Sequence, residues 1–157
     1  MNLSTKSTYG LRAMLNIALA SEGNATSIAD IAEREGISVA YLEQLLNKLR
    51  HGGLIDSIRG PKGGYVLSRS SSDITVKDIV TVLEGDIYPV HCVKASEPVS
   101  SLCKRRDSCV PKLMWVKLAA AISDCLKSVT LKDLCTEARK NGSARSGRKT
   151  YEKSLSR

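Results

Sequence analysis

The stretch from Ser27 to Ser68 constrains the fold more than any other part of this 157-residue chain. Ser27-Ile28-Ala29-Asp30 has the form of a capping box, in which a hydroxyl and a carboxylate satisfy free backbone donors at a helix start. The helix it opens is short, Ile28 to about Glu35, because Gly36 stops it. Ser38 is a good N-cap for a second helix, roughly Val39 to His51. The buried stripe of that helix would be Val39, Leu42, Leu46 and Leu49. Its other face would show Ala40, Tyr41, Gln44, Asn47 and Lys48, with Glu43 beside them. Two helices joined by a tight Gly-containing turn, the second polar on its outer face, match the helix-turn-helix pattern. Gly52-Gly53 then closes the helix, and LIDSI and YVLS read as short strands joined by Arg59-Gly60-Pro61-Lys62-Gly63-Gly64. Glycines and a proline suit a turn with positive φ angles and put Arg59 and Lys62 at its tip. A hairpin directly after a helix-turn-helix is a wing.

The flanking segments are helical. Residues 7–21 carry Leu11, Met14, Leu15, Ala18 and Leu19 at helical spacing. Thr75-Val76-Lys77-Asp78 is a second capping box, opening a helix with Val76, Ile79, Val80 and Leu83 on one face and Gly85 at its end. Pro111 is well placed as the first residue of a helix running to about Lys127. Its stripe is Trp115, Leu118, Ala119, Ile122 and Leu126, widened by Met114, Val116, Ala121 and Cys125. That surface is broad for one contact and points to a symmetric partner. Thr130-Leu131-Lys132-Asp133 caps a last short helix through Leu134 and Cys135. From Asn141 onward apolar periodicity is lost, which predicts disorder. The expected architecture is mainly α with a small β-hairpin wing: a winged helix-turn-helix followed by a long C-terminal dimerisation helix. It divides as 1–87 winged helix-turn-helix, 88–110 cysteine-containing loop, 111–138 dimerisation helix and short helix, and 139–157 basic disordered tail.

Charge is distributed unevenly. Residues 1–90 hold nine Lys/Arg and ten Asp/Glu, whereas residues 91–157 hold fifteen and six, so the net +8 resides in the second half. Seven basic residues and one acid fall between Arg139 and Arg157, which makes the basicity mostly a property of the tail. No Phe is present, so the core must be built from Leu, Ile, Val, Ala and Met. No apolar run approaches the roughly 18 residues needed to cross a bilayer, and MNLSTKSTYG has no apolar signal region. A cytoplasmic chain with no membrane association follows as the expectation. Thiols there stay reduced, and grouped cysteines more often bind metal or do redox chemistry than form disulfides.

The winged helix carries two readings, DNA binding and a protein-interaction module with a merely solvated outer face. For DNA, Ser38, Tyr41, Glu43, Gln44 and Lys48 would meet the major groove, where a carboxylate such as Glu43 can accept from cytosine N4. Arg59, Lys62 and Gly63 of the wing would meet phosphate or the minor groove. The second candidate site is the stretch His91 to Pro111, which holds Cys92, Cys103 and Cys109. Its gaps are wider than the C-x2-4-C pairs of a zinc site, but ligands of an iron–sulfur cluster attach to separate irons and tolerate wider spacing. Lys104, Arg105 and Arg106 would lower thiol pKa values and offset the charge of a thiolate-ligated cluster. A disulfide switch and three thiols without a role are the competing readings. Cys125 and Cys135 lie on apolar helix faces and read as packed core. There is no Gly-rich phosphate loop, no His/carboxylate constellation and no Cys-x-x-Cys in a βαβ setting, so the expectation is no enzyme and no small-molecule substrate.

GISVAYLEQLLNKLRHGGLIDSIRGPKGGYVLS closely resembles the DNA-binding core of the IscR/NsrR/CymR family of bacterial winged-helix regulators, with YLEQLL and RGPKGGY carrying most of the match. The likeness begins at STYGLRAMLNIALA and continues through TVKDIV, CVPKLMW and SVTLKDLC, covering about residues 1–137. The resemblance implies a homodimer whose long helices cross and whose two winged helices read a palindromic double-stranded DNA operator. It also implies an iron–sulfur cluster on Cys92, Cys103 and Cys109, with DNA contacts from Tyr41, Glu43, Gln44 and Arg59. A contact position usually polar in IscR-like sequences is Ala40 here. The first cysteine gap is longer than in IscR and NsrR, Lys112 stands where IscR has its histidine ligand, and Thr8 where NsrR has an aspartate. The fourth ligand is therefore open among His91, Glu97, Asp107 and a residue of the second subunit. Both 2Fe–2S and 4Fe–4S stay open, with 2Fe–2S favoured. The implied function is a transcriptional regulator, a repressor, controlled by cluster, redox or nitric oxide status. The alternative is a cluster-free thiol switch or a CymR-like regulator of cysteine metabolism working through a partner protein, a branch against which the three loop thiols argue.

Overall fold

In a computed structural model, residues 3–20, 24–93 and 108–154 are described. The order is α1 (Thr5–Leu19), α2 (Ile28–Glu35), α3 (Val39–His51), β1 (Ile55–Ile58), β2 (Gly64–Leu67), α4 (Val76–Glu84), α5 (Lys112–Ser128) and α6 (Leu131–Ser154). Single 3-10 turns at Ser71–Asp73 and His91–Val93 precede α4 and follow it. Each of α1 to α4 starts where a side chain can cap it: Ser4, Ser27, Ser38 and Thr75 accept from backbone N–H groups of the first turn. Around Thr75 the box is reciprocal, since Asp78 also accepts from the Thr75 N–H at 2.9 Å.

The core is aliphatic. Met14, Ile31, Leu42, Leu45, Leu46, Leu49, Leu54, Ile55, Ile74, Ile79 and Leu131 are essentially inaccessible. Burying each such side chain contributes about 1.5–3 kcal/mol before the entropic cost of ordering it. Two stripes differ from those read off the sequence. On α3, Val39 is 47% exposed while Leu45 joins Leu42, Leu46 and Leu49, because α1 and α2, as well as β1 and α4, pack against this helix and widen its buried face. On α1 the buried face is Ser7, Gly10, Ala13, Met14, Asn16 and Ile17, and Leu11, Leu15, Ala18 and Leu19 are only half-buried.

Gly10 explains the rotation of α1. A Cβ there would lie 2.2 Å from Leu83 Cδ1, so the missing side chain lets α1 seat directly on α4. That approach buries two polar residues, and each finds a partner. Asn16 Nδ2 donates to Glu35 Oε1 at 2.6 Å and to the Arg12 carbonyl at 3.0 Å. Glu84 Oε1, at the end of α4, accepts from the Ser4 N–H at 3.1 Å, from Ser7 Oγ at 2.8 Å and from the Ser4 hydroxyl. Burial raises the Glu84 pKa, but the Ser4 and Ser7 bonds outweigh it and hold the carboxyl below its usual 4.5. A depressed carboxylate pKa stabilises the fold above the unfolded-state value, and that contribution is lost as pH falls through the folded one. Glu84→Gln should therefore cost about 1 kcal/mol at neutral pH. The gap to the wild type should narrow below pH 4.5, as read by urea melts across pH. A gap constant with pH would contradict the latch.

The wing pairs β1 and β2 antiparallel in the register Ile55↔Leu67, Asp56↔Val66, Ser57↔Tyr65 and Ile58↔Gly64. A feature absent from the sequence reading adds to it. Thr26, just before α2, bridges to Tyr65 through N–H···O bonds of 2.9 Å in both directions. The wing is thereby tied to the helix-turn-helix.

A second bridge, Thr75↔Thr130, joins the start of α4 to the α5–α6 connection. The Val76 N–H donates to the Val129 carbonyl at 2.9 Å and the Leu131 N–H to the Ile74 carbonyl at 2.8 Å. It docks Leu131 into the winged-helix core and returns α6 to pack on α1. Two further findings depart from expectation. Helix α6 runs on to Ser154, where the sequence reading ended a short helix near Cys135 and began a disordered tail at 139–157. No proline interrupts 131–154, and Ala, Arg, Lys and Glu there are good helix formers, so backbone propensity extends the helix without an apolar face. Cys135 is buried as expected, but Cys125 is exposed on α5. Pro111 occupies the N-cap of α5 rather than its first turn.

Candidate nucleic-acid interface and thiol loop

Helix α3 presents an outer face built as its spacing requires. Glu43, Gln44, Asn47 and Lys48 are all exposed. Ser38 is exposed too, but its hydroxyl oxygen is engaged as the cap, accepting from the Tyr41 N–H at 3.3 Å. Tyr41 is not free. Its ring meets that of Tyr9 edge-on, 6.1 Å between centroids, and its hydroxyl lies 3.4 Å from Thr5 Oγ1. Arg12 sits over the other ring of this pair, 5.9 Å from the Tyr9 centroid, and faces Glu35 at 3.8 Å. The start of α1 is thus brought beside the start of α3, which adds Thr5 to this surface. No local pattern marks it, because Thr5 is placed by packing between elements 36 residues apart. His51 closes α3, its Nδ1 2.7 Å from the Asn47 carbonyl oxygen.

Arg59 and Lys62 project from the wing tip, exposed, on a separate element from the α3 face. Gly63 plays a different part. Its N–H donates to the Gly60 carbonyl at 2.9 Å, and a Cβ on it would sit 2.3 Å from the Ile58 carbonyl oxygen. It shapes the turn that carries the two cations.

The thiol loop is partly described. Cys92 lies on the 3-10 turn His91–Val93, which packs against α5, and its thiol is free and half-buried. His91 beside it is exposed, its ring 5.5 Å from that of Tyr88. Cys109 is likewise free and half-buried, and its carbonyl accepts from the Lys112 N–H at 3.2 Å, at the mouth of α5. Cys103, Glu97, Asp107 and the basic run Lys104 to Arg106 lie outside the described residues. Among the described residues no three of His, Cys, Asp and Glu converge in metal-binding geometry. Both ends of the 94–107 segment nonetheless carry a free thiol next to the same helix. Soft, uncharged sulfur donors without a competing carboxylate in their turns suit thiolate ligation of iron.

Helix α5 is packed on one side only. Trp115, Leu118, Ala119, Ile122 and Leu126 are half-buried, as the stripe predicts, and Lys77 Nζ on α4 donates to Ser123 Oγ at 2.7 Å. No residue of α5 is fully buried, and Leu113, Met114 and Val116 are 64%, 59% and 47% exposed. Among the described residues no helix is long and apolar enough to cross a membrane.

The comparisons with known proteins agree with this geometry. A family model, Rrf2, described as an iron-dependent transcriptional regulator, matches residues 3–137. The transcriptional regulator IscR of Serratia proteamaculans is 39% identical over 134 residues, 85% of this chain and 79% of its own. That of Escherichia coli K12 is 37% identical over 134 residues, 85% of this chain and 80% of its own. Among solved structures, CymR, the global cysteine regulator of B. subtilis, superposes with a TM-score of 0.70 at 39% identity, covering 87% of this chain and 98% of that one. IscR of T. potens does so with a TM-score of 0.67 at 38% identity, covering 88% of each. Winged helix, long following helix and extent of match coincide, and the chain belongs to the Rrf2 family of transcriptional regulators, IscR-like by homology.

Proposed function

We propose that this protein is a homodimeric repressor that binds a palindromic DNA operator, and whose affinity follows an iron–sulfur cluster held by Cys92, Cys103 and Cys109. The observation that carries the reading is the pair of free, half-buried thiols, Cys92 and Cys109, each abutting the one helix whose apolar side is uncovered. When bound, such a cluster supplies reversible one-electron chemistry and reactivity towards oxidants. The chain supplies the rest. Cys92 and Cys109 give up their protons to act as ligands. The His91–Val93 turn and the Cys109–Lys112 bond fix the loop ends on α5. From α5, the Lys77–Ser123 bond reaches α4, and the Thr75↔Thr130 bridge reaches the core under α3. A shift of α5 against its partner would change the separation of the two α3 helices, and a useful switch needs about 1–3 kcal/mol between its states.

A thiol-switch reading, close to the alternative of a CymR-like regulator, draws support from the same free thiols and from the likeness to CymR. One solved neighbour is an oxidized form of Staphylococcus aureus CymR, with a TM-score of 0.66 at 37% identity. In that reading two loop thiols form a disulfide and no iron is held.

DNA binding is tested at the wing. Arg59→Ala removes an exposed cation from the turn without touching the core, so the fold should persist while operator affinity drops about tenfold and the salt dependence weakens by about one phosphate contact. An unchanged affinity in a salt-controlled gel shift would remove the wing from the interface. A protein-interaction module would instead show no salt-dependent DNA affinity at all.

A further inference from the structure

Between the base of the wing and α6 lies a groove of about 600 Å³ that neither the α3 face nor the thiol loop uses. Its wall is cationic. Arg69 lines it from the end of β2, and Lys132 and Arg139 from α6, with the hydroxyls of Ser70 and Thr136 between them. Its floor is apolar: Ile17 and Ala18 of α1, Val66 and Leu67 of β2, and Cys135. Among the described residues no carboxylate lines it. Arg69 is held in place, its Nε donating to the Asp73 carbonyl at 3.2 Å, its Nη1 directed at the Gly53 carbonyl at 3.4 Å and its Nη2 3.7 Å from Asp78. That Asp78 contact offsets part of its charge, so the anion-attracting side of the groove is the α6 pair, Lys132 and Arg139.

A volume of this size is that of an ordinary metabolite pocket, and an apolar floor under a cationic rim selects for molecules that are apolar at one end and negative at the other. We propose that this groove binds a small amphipathic anion, a carboxylate bearing a short aliphatic chain, with its head on Lys132 and Arg139 and its chain on Ile17, Val66 and Leu67. The position gives such a ligand leverage. One wall is β2 of the wing, and the other is the helix that the Thr75↔Thr130 bridge anchors at the end of α5. Occupancy would therefore couple the wing to the helix proposed to carry the dimer, independently of any metal.

The test uses the full-length protein and octanoate as probe, at constant ionic strength, followed by calorimetric titration with octanol and inorganic phosphate as comparisons. Saturable octanoate binding, one per chain, is expected. Lys132→Gln combined with Arg139→Gln changes only exposed side chains, so folding should be retained while octanoate binding weakens about tenfold or more. Ile17→Ala supplies a second arm by thinning the floor, and should weaken octanoate while leaving the charge dependence in place. Absence of saturable octanoate binding would overturn the proposal. So would equal binding of octanol, binding of phosphate alone, or octanoate binding undiminished in the double glutamine variant.

Discussion

Leu113→Asp combined with Met114→Asp is expected to turn the dimer into a monomer and lower operator affinity on the order of a thousandfold. Both side chains are more than half exposed on α5, so neither substitution disturbs the packed side of the helix. Solvent-facing Leu, Met and Val along a helix with no fully buried residue form the kind of apolar patch that marks an association surface. Two carboxylates on each copy would face their symmetry mates, and like charges buried together are strongly unfavourable. A monomer reads only one half-site and falls back towards non-specific affinity. Sedimentation gives the assembly state, and circular dichroism confirms that each chain stays folded. A folded dimer with full operator affinity would mean that α5 faces solvent by design.

The second large effect is at the wing. Gly64→Ala is expected to destabilise the domain by about 2–4 kcal/mol, because its Cβ meets backbone rather than a yielding side chain. The added carbon would lie 2.3 Å from the Thr26 carbonyl oxygen and 2.6 Å from its carbonyl carbon. Relief requires breaking the Thr26↔Tyr65 bridge, which loses two backbone hydrogen bonds and frees the wing from the segment leading into α2. Urea denaturation measures the loss, and operator affinity should fall with it because Arg59 is no longer held in place. A change under about 0.5 kcal/mol would show that the bridge yields easily.

Much of this was legible because it is written locally. Ser27, Ser38 and Thr75 each announce a helix start by side-chain chemistry that works over three residues, and all three act as caps. The Gly-rich turn likewise predicts the hairpin. What escaped was set by contacts between distant segments. The buried face of α1 follows from Gly10 meeting Leu83, and from Glu84 and Glu35 supplying partners to Ser7 and Asn16. Periodicity of leucines alone points to a neighbouring face. Tyr41 looks like a free recognition side chain in sequence, yet its ring packs on Tyr9 of α1. The length of α6 escaped for another reason: it follows backbone propensity, whereas the sequence reading looked for an apolar stripe that this helix lacks. At the thiol loop, sequence marks three cysteines, and the structure places Cys92 and Cys109 against α5, with Cys103 outside the described residues.

The proposal rests on what those thiols hold, and visible absorption with iron and sulfide analysis on strictly anaerobically purified protein tests it most directly. The wild type should be coloured and carry iron and acid-labile sulfide in equal amounts, while Cys92→Ser and Cys109→Ser should be colourless, iron-free and still folded. Colourless wild-type protein without iron, whose operator affinity instead follows thiol oxidation, would contradict the cluster and leave the disulfide switch.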